Sequence, residues 1–247
     1  MQNLVVLVLM MTFGCLQGQT VVDTSVASVQ KAILDQHNNA RREKPSTGML
    51  KLSWDAETAD RAQAWANKCN YAHPVQGSSD YNTYMKTSKY TLGQNIAKSS
   101  NVMSWSGIIN LWYNEINSFT LGQSTTATVG HYTQIMWNTT FFLGCGYKNC
   151  GSFHFYVCDY APAGNVVPRQ YSPYEAGKAC AKCPTACDNG LCTNPCTYTN
   201  QYCNCERTCQ GSNALFPKGC ANAASFLQSF KQYCAATCNC FGTKLYD

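Results

Sequence analysis

The stretch Gly130-His131-Tyr132-Thr133-Gln134-Ile135-Met136-Trp137 stands where the periodicity of the chain changes. From it onward, residues 132–137, 142–148 and 153–160 are rich in aromatic and β-branched side chains and are bounded by glycine, the pattern of strands. Between the last two runs, Asn149-Cys150-Gly151-Ser152 reads as a hairpin turn. Upstream the spacing is helical. Residues 28–41 carry Val29, Ile33 and Leu34 on one face. Asp55 is placed to cap a second helix, with Ala59, Ala62, Trp65 and Ala66 inward and Asp60, Arg61 and Lys68 outward. Ser106 is placed to cap a third, in which Ile108, Ile109, Trp112 and Ile116 recur at helical spacing. Helices first and strands later, without a regular βαβ repeat, indicate an α+β layered domain.

Working outward from that domain, cysteine is the dominant compositional signal. The chain has 247 residues and 17 cysteines. Cys15 lies in an N-terminal segment whose apolar run, residues 4–13, has the length of a signal-peptide core and is too short to span a bilayer. Residues 1–18 are therefore expected to be a signal peptide, with Gly18 as the small residue at the cleavage point. No later apolar run is long enough to span. Without Cys15, sixteen cysteines remain, an even number that reads as up to eight disulfides formed in an oxidising, extracellular compartment. The composition is 45% hydrophobic and 13% charged, too apolar for a disordered chain. The net charge of +5 is mild and no basic stripe is present, so a nucleic-acid partner is not expected.

The cysteines divide the chain. Residues 19–176 hold four, Cys69, Cys145, Cys150 and Cys158, and residues 177–247 hold twelve. The front part is long enough to build a hydrophobic core, whereas the back part needs cross-links. The segment Pro168-Arg169-Gln170-Tyr171-Ser172-Pro173 between them reads as a linker. The spacing Cys180-x2-Cys183-x3-Cys187-x4-Cys192 also suits zinc, but no histidine follows His154, and an even count in a secreted chain favours disulfides. Residues 223–233 have the pattern of a short helix with Phe226, Phe230 and Tyr233 along one side.

These residues carry a family resemblance. Residues 130–137 resemble the first signature of the CAP superfamily, and Phe155-Tyr156-Val157-Cys158-Asp159-Tyr160-Ala161-Pro162-Ala163-Gly164-Asn165 resembles the second. Leu111-Trp112-Tyr113-Asn114-Glu115 resembles the helix between them, and residues 180–192 are similar to the hinge of cysteine-rich secretory proteins. The end, with Cys234-x3-Cys238-x-Cys240, is similar to their ShK-toxin-like, ion-channel-regulatory domain. The resemblance implies a three-layer α/β/α sandwich over residues 19–176, a cysteine-rich hinge over 177–195 and a small, disulfide-rich, mainly helical domain over 196–247. It implies the pairs Cys69–Cys150, Cys145–Cys158, Cys180–Cys187, Cys183–Cys192, Cys196–Cys240, Cys205–Cys234 and Cys220–Cys238, with Cys203–Cys209 as an extra link. An exchange of Cys203 and Cys205 between partners stays open. Where the family has one further front-domain disulfide, this chain has Leu92 and Ala161, which implies a looser front domain. Asp159 stands where the family more often has Asn, Gln or Arg.

The family gathers two histidines and two glutamates in a cleft, and the matching positions here are His73, Gln94, Glu115 and His131. The resemblance implies that His73 and His131 are either weak zinc ligands or simply hydrogen-bonded cleft residues. Gln94 cannot ionise, so one acid is lost as a general base or as a neutraliser of a cation. No Gly-x-Ser-x-Gly or His-Glu-x-x-His motif is present, and a fully paired cysteine set leaves no thiol nucleophile, so no enzyme and no required cofactor are expected. The leading expectation is a secreted monomer that binds an ion channel or another cell-surface protein, as an exocrine or venom-type secretion. Residues 177–247 carry six basic and three acidic side chains, which suits an acidic channel vestibule. Phe216, Lys218, Phe226, Phe230, Lys231 and Tyr233 are the channel-binding candidates. The alternative expectation is a reproductive-tract or immune binding protein acting in gamete interaction or sterol binding. Asn138-Thr139-Thr140 is a glycosylation sequon.

Overall fold

The computed structural model describes residues 22–195; the expected signal peptide, the domain at 196–247 with its four disulfides, its channel-binding candidates and its helix at 223–233 lie outside the described residues. In chain order the elements are α1 (Ala27–Arg42), β1 (Ser53–Trp54), α2 (Ala56–Asn67), α3 (Ser79–Tyr84), β2 (Gly93–Ser99), α4 (Trp105–Tyr113), a 3-10 turn (Asn114–Ser118), α5 (Gly130–Ile135), β3 (Phe142–Asn149), β4 (His154–Ala161), β5 (Cys187–Asp188) and β6 (Leu191–Cys192). Four strands form one sheet in the order β1-β3-β4-β2. The β3–β4 hairpin turns at Gly151, whose φ of +84° suits glycine, and the Asn149 side chain accepts from the Gly151 N–H.

Strand alternation builds the three layers. On β4, Tyr156, Cys158 and Tyr160 face a core with Val29 and Ile33 of α1, Ile108, Ile109 and Trp112 of α4, and Tyr132 and Ile135 of α5. Phe155 and Val157 face the other way, onto Ala62, Trp65 and Ala66 of α2. That second helix lies unusually close to the sheet. A Cβ on Gly144 would come within 2.1 Å of the Ala59 nitrogen, and one on Gly146 within 2.4 Å of the Gln63 backbone. Asp55 caps α2 by accepting from the Thr58 N–H.

Two elements differ from the sequence reading. Residues 132–135, the first part of the run 132–137 read as a strand, lie in helix α5. Tyr132, Ile135 and Met136 are all fully buried at helical spacing, and the Glu115 carboxylate accepts from the first N–H groups of the helix. That cap comes from another element, so local propensity for strand is overridden by a distant carboxylate. The cap of α4 is Ser104 rather than Ser106: its hydroxyl accepts from the Gly107 N–H. Trp105, which donates its indole N–H to the Val22 carbonyl, is buried by starting the helix there.

Disulfides join Cys69 to Cys150, Cys145 to Cys158, Cys180 to Cys187 and Cys183 to Cys192. Leu92 and Ala161 lie in one apolar cluster with Tyr90 and Phe141, so packing fills the place where the resemblance led us to expect a loosened link. The segment read as a linker is bound to the front domain: Gly122 and Asn138 donate their N–H groups to the carbonyls of Tyr171 and Pro173. The hinge is fixed in the same way, with the Cys192 N–H on the Met49 carbonyl at 2.7 Å and the Lys51 N–H on the Cys192 carbonyl at 2.8 Å.

Arg41 closes this assembly. It is fully buried and makes six hydrogen bonds to five carbonyls: Leu50 twice, Ile135, Trp137, Asn138 and Thr140. Arg41→Met is expected to lower stability by about 3 kcal/mol or more, because five acceptors, four of them buried, lose a charged donor. A guanidinium denaturation midpoint unchanged from the parent, with disulfides intact, would contradict this.

Candidate functional site

The 3-10 segment after α4 delivers Glu115, its second residue, to the start of α5. Its Oε1 accepts from His131 Nδ1 at 2.6 Å, while Oε2 accepts from the backbone N–H groups of His131 and Tyr132 at 2.8 and 3.1 Å. Trp112 stacks on the His131 ring, at 6.1 Å between centroids and 17° between planes. The carboxylate thus acts as helix cap and as ring orienter at once. A neutral ring that donates from Nδ1 keeps its Nε2 lone pair.

His73 comes from the connection between α2 and α3. That segment is anchored by the Cys69–Cys150 disulfide and by the Trp65 indole N–H on the Ala72 carbonyl. The exposed His73 ring meets Gln94 on β2, with Nδ1 3.0 Å from Oε1. The other end of the Gln94 amide donates to Asp159 Oδ1 at 2.9 Å, across the register pair Gln94↔Asp159. Asp159 is fully buried, and burial pushes its carboxyl well above the usual range. Its Oδ2 has no hydrogen-bond partner among the described residues.

The four expected cleft residues are therefore brought together as two pairs, His131 with Glu115 and His73 with Gln94. Residues 94 and 95 link the pairs, because Asn95 donates its side-chain N–H to the His131 carbonyl at 3.1 Å. Asn95 also donates to the Tyr160 hydroxyl, which lies 2.9 Å from His37 Nε2. His37 Nδ1 donates to the Ile33 carbonyl at 2.8 Å, so Nε2 accepts the tyrosine proton. This buried polar chain beneath the site was not read from sequence. Its only sequence trace is the spacing of His37 on the buried stripe of α1 after Val29 and Ile33.

The remaining expected site residues have plain surroundings. Asn138 is half-buried, its Oδ1 accepts from Arg169, and Thr140 of the sequon is fully buried with its hydroxyl on the Pro162 carbonyl. The sulfurs of Cys180, Cys183 and Cys192 lie within 4.8 Å of one another, but each is in a disulfide and offers no thiolate to a metal. Among the described residues, no helix is long and apolar enough to cross a membrane.

Comparison with known proteins follows this division of the chain. The family model described as "Cysteine-rich secretory protein family" matches residues 34–160, and one described as "Crisp" matches residues 180–244. Cysteine-rich secretory protein 3 of Homo sapiens is 39% identical over 230 residues, covering 90% of this chain and 86% of that protein. Cysteine-rich secretory protein 1 of Mus musculus is 37% identical over 211 residues, covering 81% of this chain and 83% of that protein. Among solved structures, "NaASP2 with Zn2+" is similar with a TM-score of 0.57 and 27% identity, over 71% of this chain and all of that one (100%).

The buried chain beneath the site makes stability depend on pH. Burial, opposed by the Ile33 hydrogen bond and aided by the nearby Arg41 charge, depresses the His37 imidazole to about 4. The unfolded state, with an ordinary value near 6.5, takes up the proton first. The His37 contribution is complete above about 6.5 and is lost as pH falls towards about 4, up to ~3 kcal/mol. Chemical denaturation across that window is expected to show the decline, and His37→Gln is expected to flatten it. An identical slope in both proteins would refute the assignment.

Proposed function

We propose that this chain, which belongs to the cysteine-rich secretory protein family, is a secreted, non-enzymatic binding protein that modulates ion channels through residues 196–247. The observation that carries this reading is the fixed hinge. Two disulfides cross-link residues 180–192 internally, and backbone hydrogen bonds to residues 47–51 hold that unit on the front domain. The tail then departs from a preorganised base, and a cross-linked module docks with little ordering cost. Its excess of basic side chains favours an acidic partner surface. The signal peptide expected at residues 1–18 and the disulfides support an extracellular location. A binding role also agrees with the chemistry of the site: both Glu115 oxygens are engaged in hydrogen bonds, Gln94 is neutral, and the eight described cysteines from Cys69 to Cys192 are paired.

The test is patch-clamp recording with the intact, oxidised protein on a panel of potassium, calcium and sodium channels. At micromolar protein, at least one current is expected to fall, and Lys231→Glu is expected to reduce potency about 10-fold, the size of one interfacial hot spot. No effect on any channel of the panel would overturn the proposal.

The front domain offers a second, metal-binding role. His73 and His131 each direct Nδ1 to an acceptor, which leaves two Nε2 lone pairs for zinc. With Gln94 uncharged, the ion is neutralised less than by two glutamates, so binding is weak. Zinc there would supply a cross-link between the α2–α3 connection and α5. Calorimetric titration of the full chain is expected to show one weak zinc site that His131→Ala removes; the absence of saturable binding in the parent would dismiss it.

A further inference from the structure

The carboxyl that Gln94 lacks is present one strand away. Gln94 and Asp159 are register partners on β2 and β4, and the two positions where the cleft departs from the family pattern are the two ends of one hydrogen bond. An amide has a donor end and an acceptor end, so the partner of one end dictates what the other can do. Gln94 Nε2 is committed to Asp159 Oδ1, and Oε1 must therefore face His73. An oxygen there pairs only with an N–H. We propose that Asp159 is a positioning residue for the His73 ligand site: through Gln94 it holds His73 as the Nδ1–H tautomer and presents the Nε2 lone pair to a divalent transition-metal cation. This extends the zinc reading above and rests on it for the identity of the ligand, but the tautomer is a property of the metal-free protein.

The surroundings of Asp159 suit this task. The residue is fully buried beside Gly144, which contributes no side chain and is itself covered by α2. Burial pushes the carboxyl up, and its two oxygens differ: Oδ1 accepts from Gln94, whereas Oδ2 has no hydrogen-bond partner among the described residues. The alternative, an apolar side chain at position 159, would suit a face shared with Phe155 and Val157. Retaining a polar group there costs free energy unless it is hydrogen-bonded, and the bond that Asp159 makes is the one from Gln94. The one described side chain that it orients is Gln94.

Long-range 1H–15N correlation spectra of the full, oxidised chain labelled at histidine read the tautomer directly, with the His73 signals assigned by their loss in His73→Gln. The parent is expected to show His73 protonated at Nδ1. Asp159→Leu removes the acceptor while keeping the same branching; the His73 signals are expected to move to mixed or Nε2–H values, and zinc affinity to fall about 10-fold. Asp159→Asn, which keeps an oxygen acceptor, is expected to restore both. A parent His73 already protonated at Nε2, or an Asp159→Leu spectrum identical to the parent, would overturn the relay. A parent with the Nδ1–H signature but no zinc binding would defeat the zinc reading and leave the relay standing. Should Asp159→Leu fail to fold, Gln94→Met carries the same comparison, and an unchanged His73 spectrum there is equally fatal.

Discussion

A buried guanidinium with no carboxylate partner among the described residues organises this domain. Burial lowers Arg41 to about 9, still charged at neutral pH, so its charge is distributed over five backbone carbonyls instead of one anion. Those carbonyls belong to the Leu50 connection, the end of α5 and the entry to β3. Carbonyls at a helix C-terminus are unsatisfied and negatively polarised, which makes the end of α5 a natural seat for a cation. The clamp has two consequences. It fixes α5, which carries His131, against α1. It also fixes residues 49–51, the strip to which the hinge is hydrogen-bonded. The cleft and the base of the tail are therefore referenced to one side chain.

The two histidine pairs are chemically unequal. His131 has a carboxylate that also caps its helix, so ring orientation and local backbone structure are coupled. His73 has an amide whose direction is imposed by a buried carboxyl on the neighbouring strand. Moving the acid from the cleft wall into the sheet keeps a hydrogen-bond acceptor beside the ring while removing charge from the place where a cation would bind. That arrangement favours a weakly held ion or a neutral ligand over a tightly bound catalytic metal.

Much of the framework was legible along the chain, and the reasons are local. Val29 and Ile33 mark the buried stripe of α1, Asp55 caps α2 through a contact three residues away, and the alternation around Phe155 to Tyr160 gives two-faced burial on β4. The failures are equally specific. Residues 132–137 have strand-like composition, yet 132–135 are helical because Glu115 holds the first amides of α5 and because Tyr132 and Ile135 must reach the same core. The start of α4 moved from Ser106 to Ser104 because Trp105 is buried with its indole N–H on Val22. Residues 168–173 have linker composition but lie against the domain by backbone hydrogen bonds that composition does not encode.

The candidate site shows where one-dimensional reading ends. The family resemblance singled out His73, Gln94, Glu115 and His131 and placed Asp159 as a departure, while the cysteine count and the N-terminal apolar run indicated an extracellular, cross-linked chain, because covalent chemistry belongs to the residues themselves. Which acceptor faces which ring depends on strand register. Gln94 and Asp159 are 65 positions apart and meet because β2 lies beside β4; His37 reaches Tyr160 across 123 positions for the same kind of reason. Hydrogen bonds of that range are set by how the layers stack, and their energies are large because the stack excludes water.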